Sequence, residues 1–228
     1  KSRRHECVLA SKCGIFKNPK GQRELDGRPE TLIKTCNDSL RRLKTDYVDL
    51  MQYHNPTVEE SQAEDLISVL QEMRDQGKVR WLGISTTLPH LPFFLETGAF
   101  DSFQIPYSAL EREHEDWISK SAEEGIGIII RGGIAQGEVG EGRGTQETWD
   151  KFVGAGIDEF LEEGESRSSF VLRYTLSNPK VDTVIVGTTS TGHLTENIQA
   201  VNRGALPDDV YTEVKRRMDV IGEVSYLK

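Results

Sequence analysis

The chain has 228 residues, 36% of them hydrophobic, and carries 37 acidic against 28 basic side chains for a formal net charge of −9. That length suits one large domain or two small ones, the acidic balance argues against nucleic acid as a partner, and no apolar run approaches the roughly 18 residues of a membrane-crossing helix. Cys7, Cys13 and Cys36 form no C-x-x-C pair, so neither a disulfide framework nor a zinc site is expected and a reducing cytoplasm fits best.

The opening Lys1-Ser2-Arg3-Arg4-His5-Glu6 leads only into a strand-length apolar run, so no signal peptide is expected. Residues 8–12 read as a short strand ending on Lys12. Residues 14–29 are polar and rich in turn formers and read as a loop. Pro29 suits a first helical turn, and the helix through Leu43 places Leu32, Ile33, Cys36, Leu40 and Leu43 on one face. Val48 to His54 is nearly continuous in apolar residues, with Asp49 and Gln52 as interruptions, as expected of a parallel strand buried on both faces. Pro56 stops it. A histidine at such a strand end stands where barrel enzymes keep their chemistry, and it reads equally as a hydrogen-bonded residue closing the strand.

A helix over 58–76 is ended by Gly77. Strand 81–86, a short helix over 90–97 and strand 102–107 follow. Residues 113–124 are helical and Gly125 ends them; 126–131 form a strongly apolar strand. A glycine-rich loop over 132–144 leads to helical patterns over 147–162 and 167–177, a last strand over 183–187, and helices over 191–201 and 207–222. His5, His90 and His114 lie in polar or helical settings and read as solvated; no metal-ligand spacing is present.

Strand and helix alternate six times, which implies βαβ crossovers and a parallel sheet in one α/β domain, residues 1–228. No G-x-G-x-x-G follows the first strand, and polar residues end all six strands: Lys12, His54, Ser85 with Thr86, Gln104, Arg131, and Gly187 with Thr188. A closed barrel gathers all its strand ends at one mouth, whereas an open sheet unites only those at its switch point. The pattern favours a (β/α)8 TIM barrel with six of the eight strands represented, two βα units being absent from the N-terminus.

Four motifs in register then resemble the aldo-keto reductases, NAD(P)(H)-dependent (β/α)8 barrels. They are Ala10-Ser11-Lys12; Ser39-Leu40-x-x-Leu43-x-Thr45-Asp46-Tyr47-Val48-Asp49-Leu50 leading to His54; Gly77-Lys78-Val79-Arg80-x-Leu82-Gly83-Ile84-Ser85; and Val186-Gly187-Thr188-Thr189 with His193-Leu194-x-Glu196-Asn197. The resemblance implies a catalytic tetrad of Asp, Tyr, Lys and His, in which Lys12 and His54 fill the last two places. The Asp and Tyr belong to the first two βα units, which this chain lacks. Free tyrosine is a poor acid at neutral pH, and a nearby ammonium eases its ionisation. That is the role implied for Lys12, with His54 hydrogen-bonding the substrate oxygen.

For the cofactor, the resemblance places Ser85 and Gln104 on the nicotinamide carboxamide, with Thr86 in place of a frequent asparagine. Arg131 stands where relatives stack a tyrosine on the ring, and a planar guanidinium can also stack. Gly132, Gly133, Ile134 and Gln136 belong to the loop that crosses the pyrophosphate. Gly187, Thr188, Thr189, Ser190 and His193 surround the adenosine 2′-phosphate site, with Glu196 and Asn197 near the adenine. Gly187 replaces a frequent lysine and His193 a frequent arginine, which weakens a phosphate clamp. NADP(H) remains the first choice, with NAD(H) possible. Without the resemblance, the same residues read as strand-end caps, a rim salt bridge at Arg131, a plain loop and a helix cap over 188–190.

The implied activity is reduction of a small aldehyde or ketone to an alcohol by hydride transfer. Two other readings stand beside it: a nucleotide-binding barrel without turnover, serving regulation or scaffolding, and a lyase or isomerase using Lys12 as a Schiff base. The expected partners are a small carbonyl substrate, no nucleic acid and no membrane; the sequence carries no signal for oligomeric state.

Overall fold

A computed structural model of the protein describes residues 3–18, 20–135, 139 and 144–222. The chain divides into two compact units, residues 1–104 and 105–228.

The first unit opens with a 3-10 turn, Arg4–Glu6, and then β1 (Ala10–Cys13), β2 (Ile15–Lys17), β3 (Arg23–Leu25), α1 (Pro29–Leu43), β4 (Val48–His54), α2 (Val58–Ala63), α3 (Leu66–Asp75), β5 (Val79–Ser85) and α4 (Leu91–Glu96). β6 (Ser102–Pro106) runs across the boundary between the units. β1 pairs with β4, β4 with β5, and β5 with β6, all parallel. Met51, Leu82 and Ile84 on these strands, with Leu32 and Cys36 of α1 and Leu66 and Leu70 of α3, are fully buried.

Four expectations are corrected here. The loop over 14–29 contains an antiparallel hairpin, β2 with β3. Its strands are three residues each, too short for an alternation to register. Its turn is held by Asn18, whose Oδ1 accepts from the backbone N–H groups of Lys20 (2.9 Å) and Gln22 (3.0 Å). The helix expected over 58–76 is two helices, α2 and α3. Thr57 and Glu60 cap the first reciprocally, and the chain breaks at Asp65, which takes φ +47°. Residues 62–65 are all exposed and offer nothing to bury, whereas the turn re-aims Leu66, Leu70 and Met73 inward. On α1, Ile33 and Leu43 are exposed rather than part of the buried face. β1 starts at Ala10, because Val8 is 73% exposed.

The second unit holds α5 (Glu115–Glu123), β7 (Gly127–Arg131), α6 (Gln146–Gly154), α7 (Arg167–Leu176), β8 (Thr183–Ile185), α8 (Thr191–Arg203) and α9 (Asp208–Val220). β7 and β8 are parallel, Arg131 opposite Ile185. α7 is buried continuously from Ser169 to Thr175, as a helix enclosed on every side must be. The helix expected over 147–162 stops at Gly154. Gly156 takes φ +62°, and a 3-10 turn, Ile157–Phe160, follows. The last strand ends at Ile185, two residues short of the expectation. His114, expected to be solvated, is 1% exposed.

Candidate active site

Parallel pairing sets residues from distant segments side by side at one level. Lys12 lies opposite Gln52, His54 opposite Ser85, and Ser85 opposite Gln104. All five stand at or near the C-terminal ends of β1, β4, β5 and β6. Gln52 and His54 are two residues apart on β4 and so share a face. Nζ of Lys12 donates to Oε1 of Gln52 at 3.0 Å and to Oε1 of Gln104 at 2.7 Å. Both acceptors are buried, so the ammonium is held by two amide dipoles. His54 is half-buried. Lys12 and His54 open into one cleft of ≈ 780 Å3, flanked by the hairpin and by α1.

Ser85 is fully buried, and its Oγ has no hydrogen-bond partner among the described residues. Buried hydroxyls are nearly always bonded. An orphaned one at a strand end, one position across from Gln104, is what a carboxamide could complete. The Oε1 of Gln104 is taken by Lys12, so its –NH2 is the group left to donate toward a cofactor carbonyl. Thr86 is buried, its backbone N–H donating to Gln104 O at 3.1 Å. The residues present therefore fit a nicotinamide amide. Gln52 was legible only as a polar interruption of β4. Its spacing of two from His54 is the signal that could have marked it.

In the second unit, Arg131 is the last residue of β7 and is half-buried. Burial lowers its pKa, and the carboxylate of Glu111 opposes that shift. Gly132 takes φ +70°, a conformation glycine adopts without strain. The glycine at 133 has a packing reason: a Cβ there would lie 2.5 Å from Cγ1 of Val184, and its carbonyl accepts from Oγ1 of Thr175 at 2.8 Å. Ile134 is half-buried; Gln136 lies outside the described residues. Near Arg131, His114 is driven down to about 4 by burial and then by the positive field of that arginine, so it is neutral at pH 7.

Gly187, Thr188, Thr189, Ser190 and His193 line a shallow cleft of ≈ 380 Å3 at the start of α8. Oγ of Ser190 accepts from the His193 backbone N–H at 3.3 Å, and Oγ1 of Thr188 accepts from Ser190 N at 3.0 Å. The segment is thus a helix cap, and it also presents hydroxyls at a helix N-terminus, where anions are favoured. On α8, Glu196 is exposed and accepts a short hydrogen bond from Oγ of Ser166, while Asn197 is buried.

Comparison with known proteins supplies first the class. The chain superposes on the holo form of aldo-keto reductase AKR11C1 from Bacillus halodurans with a TM-score of 0.84, covering 99% of this chain and 76% of that one at 28% identity. The fold is therefore that of the aldo-keto reductases, an α/β TIM barrel serving NAD(P)H-dependent oxidoreductases. The Aldo/keto reductase family model matches residues 1–218, and the chain belongs to that family. It is 29% identical over 223 residues to the uncharacterized oxidoreductase YqkF of Bacillus subtilis (strain 168), covering 91% of this chain and 72% of that protein. To the NADH-specific methylglyoxal reductase of Escherichia coli (strain K12) it is 29% identical over 147 residues, 59% of this chain and 45% of that protein.

Proposed function

We propose that the protein reduces the carbonyl of a small aldehyde or ketone to an alcohol, with NADP(H) as its preferred cofactor and NAD(H) as a usable one, in a reducing cytoplasm. The observation that carries this reading is the Lys12 ammonium, gripped by Gln52 and Gln104 in the same cleft as His54. The cofactor, when bound, supplies the hydride. The Lys12 ammonium eases the ionisation of the tyrosine that the family resemblance implies as proton donor. His54 hydrogen-bonds the substrate's carbonyl oxygen and orients it. The proton donor implied by the family resemblance is a tyrosine, and neither it nor its aspartate partner has a counterpart among the motifs matched here.

Ser85 and the –NH2 of Gln104 would hold the nicotinamide amide, with Thr86 beside them, and the family resemblance implies Arg131 as the residue that would stack on the ring. Gly132, Gly133 and Ile134 would pass along the pyrophosphate. Gly187 through Ser190, with His193, would receive the 2′-phosphate, and Glu196 and Asn197 would lie near the adenine. A Schiff-base role for Lys12 is the weaker reading, and failure to trap an adduct with a carbonyl substrate and borohydride would remove it. The test is NADPH consumption by the full-length protein with a panel of aldehydes and ketones, paired with fluorescence titration of NADPH and NADH. Carbonyl-dependent oxidation supports the reading. Tight cofactor binding without turnover favours the regulatory or scaffold alternative.

A further inference from the structure

We infer that the β2–β3 hairpin is the specificity wall of the carbonyl site, with Phe16 and Ile15 selecting substrates that carry an aryl or branched alkyl group beside the carbonyl. The inference rests on the reductase reading above. Among the described residues lining the cleft with Lys12 and His54, Ile15 and Phe16 are the apolar ones. α1 contributes the polar side chains of Thr31, Lys34, Thr35 and Arg42 to the same cleft. The hairpin thus offers a substrate's non-reacting apolar group an apolar surface in this cleft.

The hairpin is held in place rather than loosely tethered. The chain turns directly after β1 at Gly14, at φ +86°, where a Cβ would lie 2.4 Å from the Tyr53 ring. Phe16 follows Lys12 by only four residues. The base of the hairpin is closed by Asp26 N–H donating to Gly14 O at 2.9 Å. The Asp26 carboxylate accepts from Oγ1 of Thr31 at 2.7 Å and from Nη2 of Arg28 at 2.7 Å, which fixes the exit strand to the first turn of α1. Both apolar side chains stay half-buried, although fully buried positions abound in this unit. Apolar area left partly wet beside reacting groups gains from a ligand that covers it.

The test compares benzaldehyde and propanal as substrates of the full-length protein and of Phe16→Ala and Phe16→Leu. Phe16→Ala is expected to lower kcat/KM for benzaldehyde about tenfold or more, mainly through KM, since hydrophobic pockets discriminate on that scale. Propanal should change less than about twofold, Phe16→Leu should recover part of the loss, and the NADPH dissociation constant should not move. An equal loss on both aldehydes, or none on either, overturns the inference. If the wild type turns over neither aldehyde, the reductase reading fails instead. The hairpin is then judged by ligand-observed NMR of benzaldehyde, where binding unaltered by Phe16→Ala overturns it and binding lost supports it.

Discussion

Replacing Lys12 by methionine keeps most of the length of the side chain and removes its charge. Two buried acceptors, Oε1 of Gln52 and of Gln104, then lose their donor. A buried polar group left unsatisfied costs about 1–3 kcal/mol. Two such losses, partly offset by the apolar methionine, put the expected destabilisation at about 2–4 kcal/mol in urea unfolding. The chemical loss is separate. A group that assists proton transfer contributes about 10²–10⁴ in rate, roughly 3–5 kcal/mol of barrier. Lys12→Met should therefore lower kcat for carbonyl reduction by that factor while NADPH still binds, because the Ser85 hydroxyl proposed to hold its amide is untouched. Steady-state kinetics beside a fluorescence titration reads both. A variant within about threefold of the wild-type kcat would refute the role given to Lys12, whatever its stability.

Three further outcomes are expected. His114 is neutral in the folded protein down to about pH 4, because burial and Arg131 disfavour its charged form. As pH falls from about 6.5, the unfolded chain takes up a proton that the folded one refuses, so stability drops until pH 4, by about 3 kcal/mol at most. His114→Gln should flatten the urea midpoint over that window, and an unchanged slope would exclude the assignment. Gly133→Ala should destabilise by about 1–3 kcal/mol through collision with Val184; a neutral thermal shift would count against that packing reason. His193→Arg should tighten NADPH over NADH about two- to fivefold, the scale of an exposed ion pair, and equal effects on both cofactors would remove the 2′-phosphate from this site.

What the sequence revealed depended on the length scale of each signal. α1 and β4 were legible to the residue, because each has a long consistent pattern and clear stops at Pro29 and Pro56. The strand-end residues Lys12, His54, Ser85 and Gln104 were legible for the same reason, since a polar residue ending an apolar run stands out. The Lys12 grip was not: hydrogen-bond partners 40 and 92 residues away are set by register, which no local window contains. The hairpin was hidden because Ile15-Phe16-Lys17 and Arg23-Glu24-Leu25 are too short to show a period. The burial of His114 was hidden because its neighbours Glu113 and Glu115 are charged. Glu115 is itself buried, paired with Arg112 and Lys215 through contacts a hundred residues apart in the latter case.

The register that makes the site is itself fixed from the other end of the strands. Asp49, second residue of β4, is 2% exposed. Its Oδ2 accepts from Leu9 N at 2.8 Å and lies 2.7 Å from Nη2 of Arg4, and its Oδ1 accepts from Arg80 at 3.0 Å. Burial alone would raise its pKa, but the Leu9 amide and the Arg4 guanidinium outweigh that and hold it ionised below the usual range. A charge so placed is costly to leave unpaired, so any sliding of β1 along β4 that strips away Leu9 and Arg4 is strongly disfavoured. A slip of one residue would turn the other face of β1 to the site and set Ser11 or Cys13 where Lys12 meets Gln52. The polar interruption that weakened β4 as a strand pattern is thus what aligns its far end. A carboxylate at one end and an amide at the other bracket the strand pair, and the ammonium falls between two glutamines as a consequence.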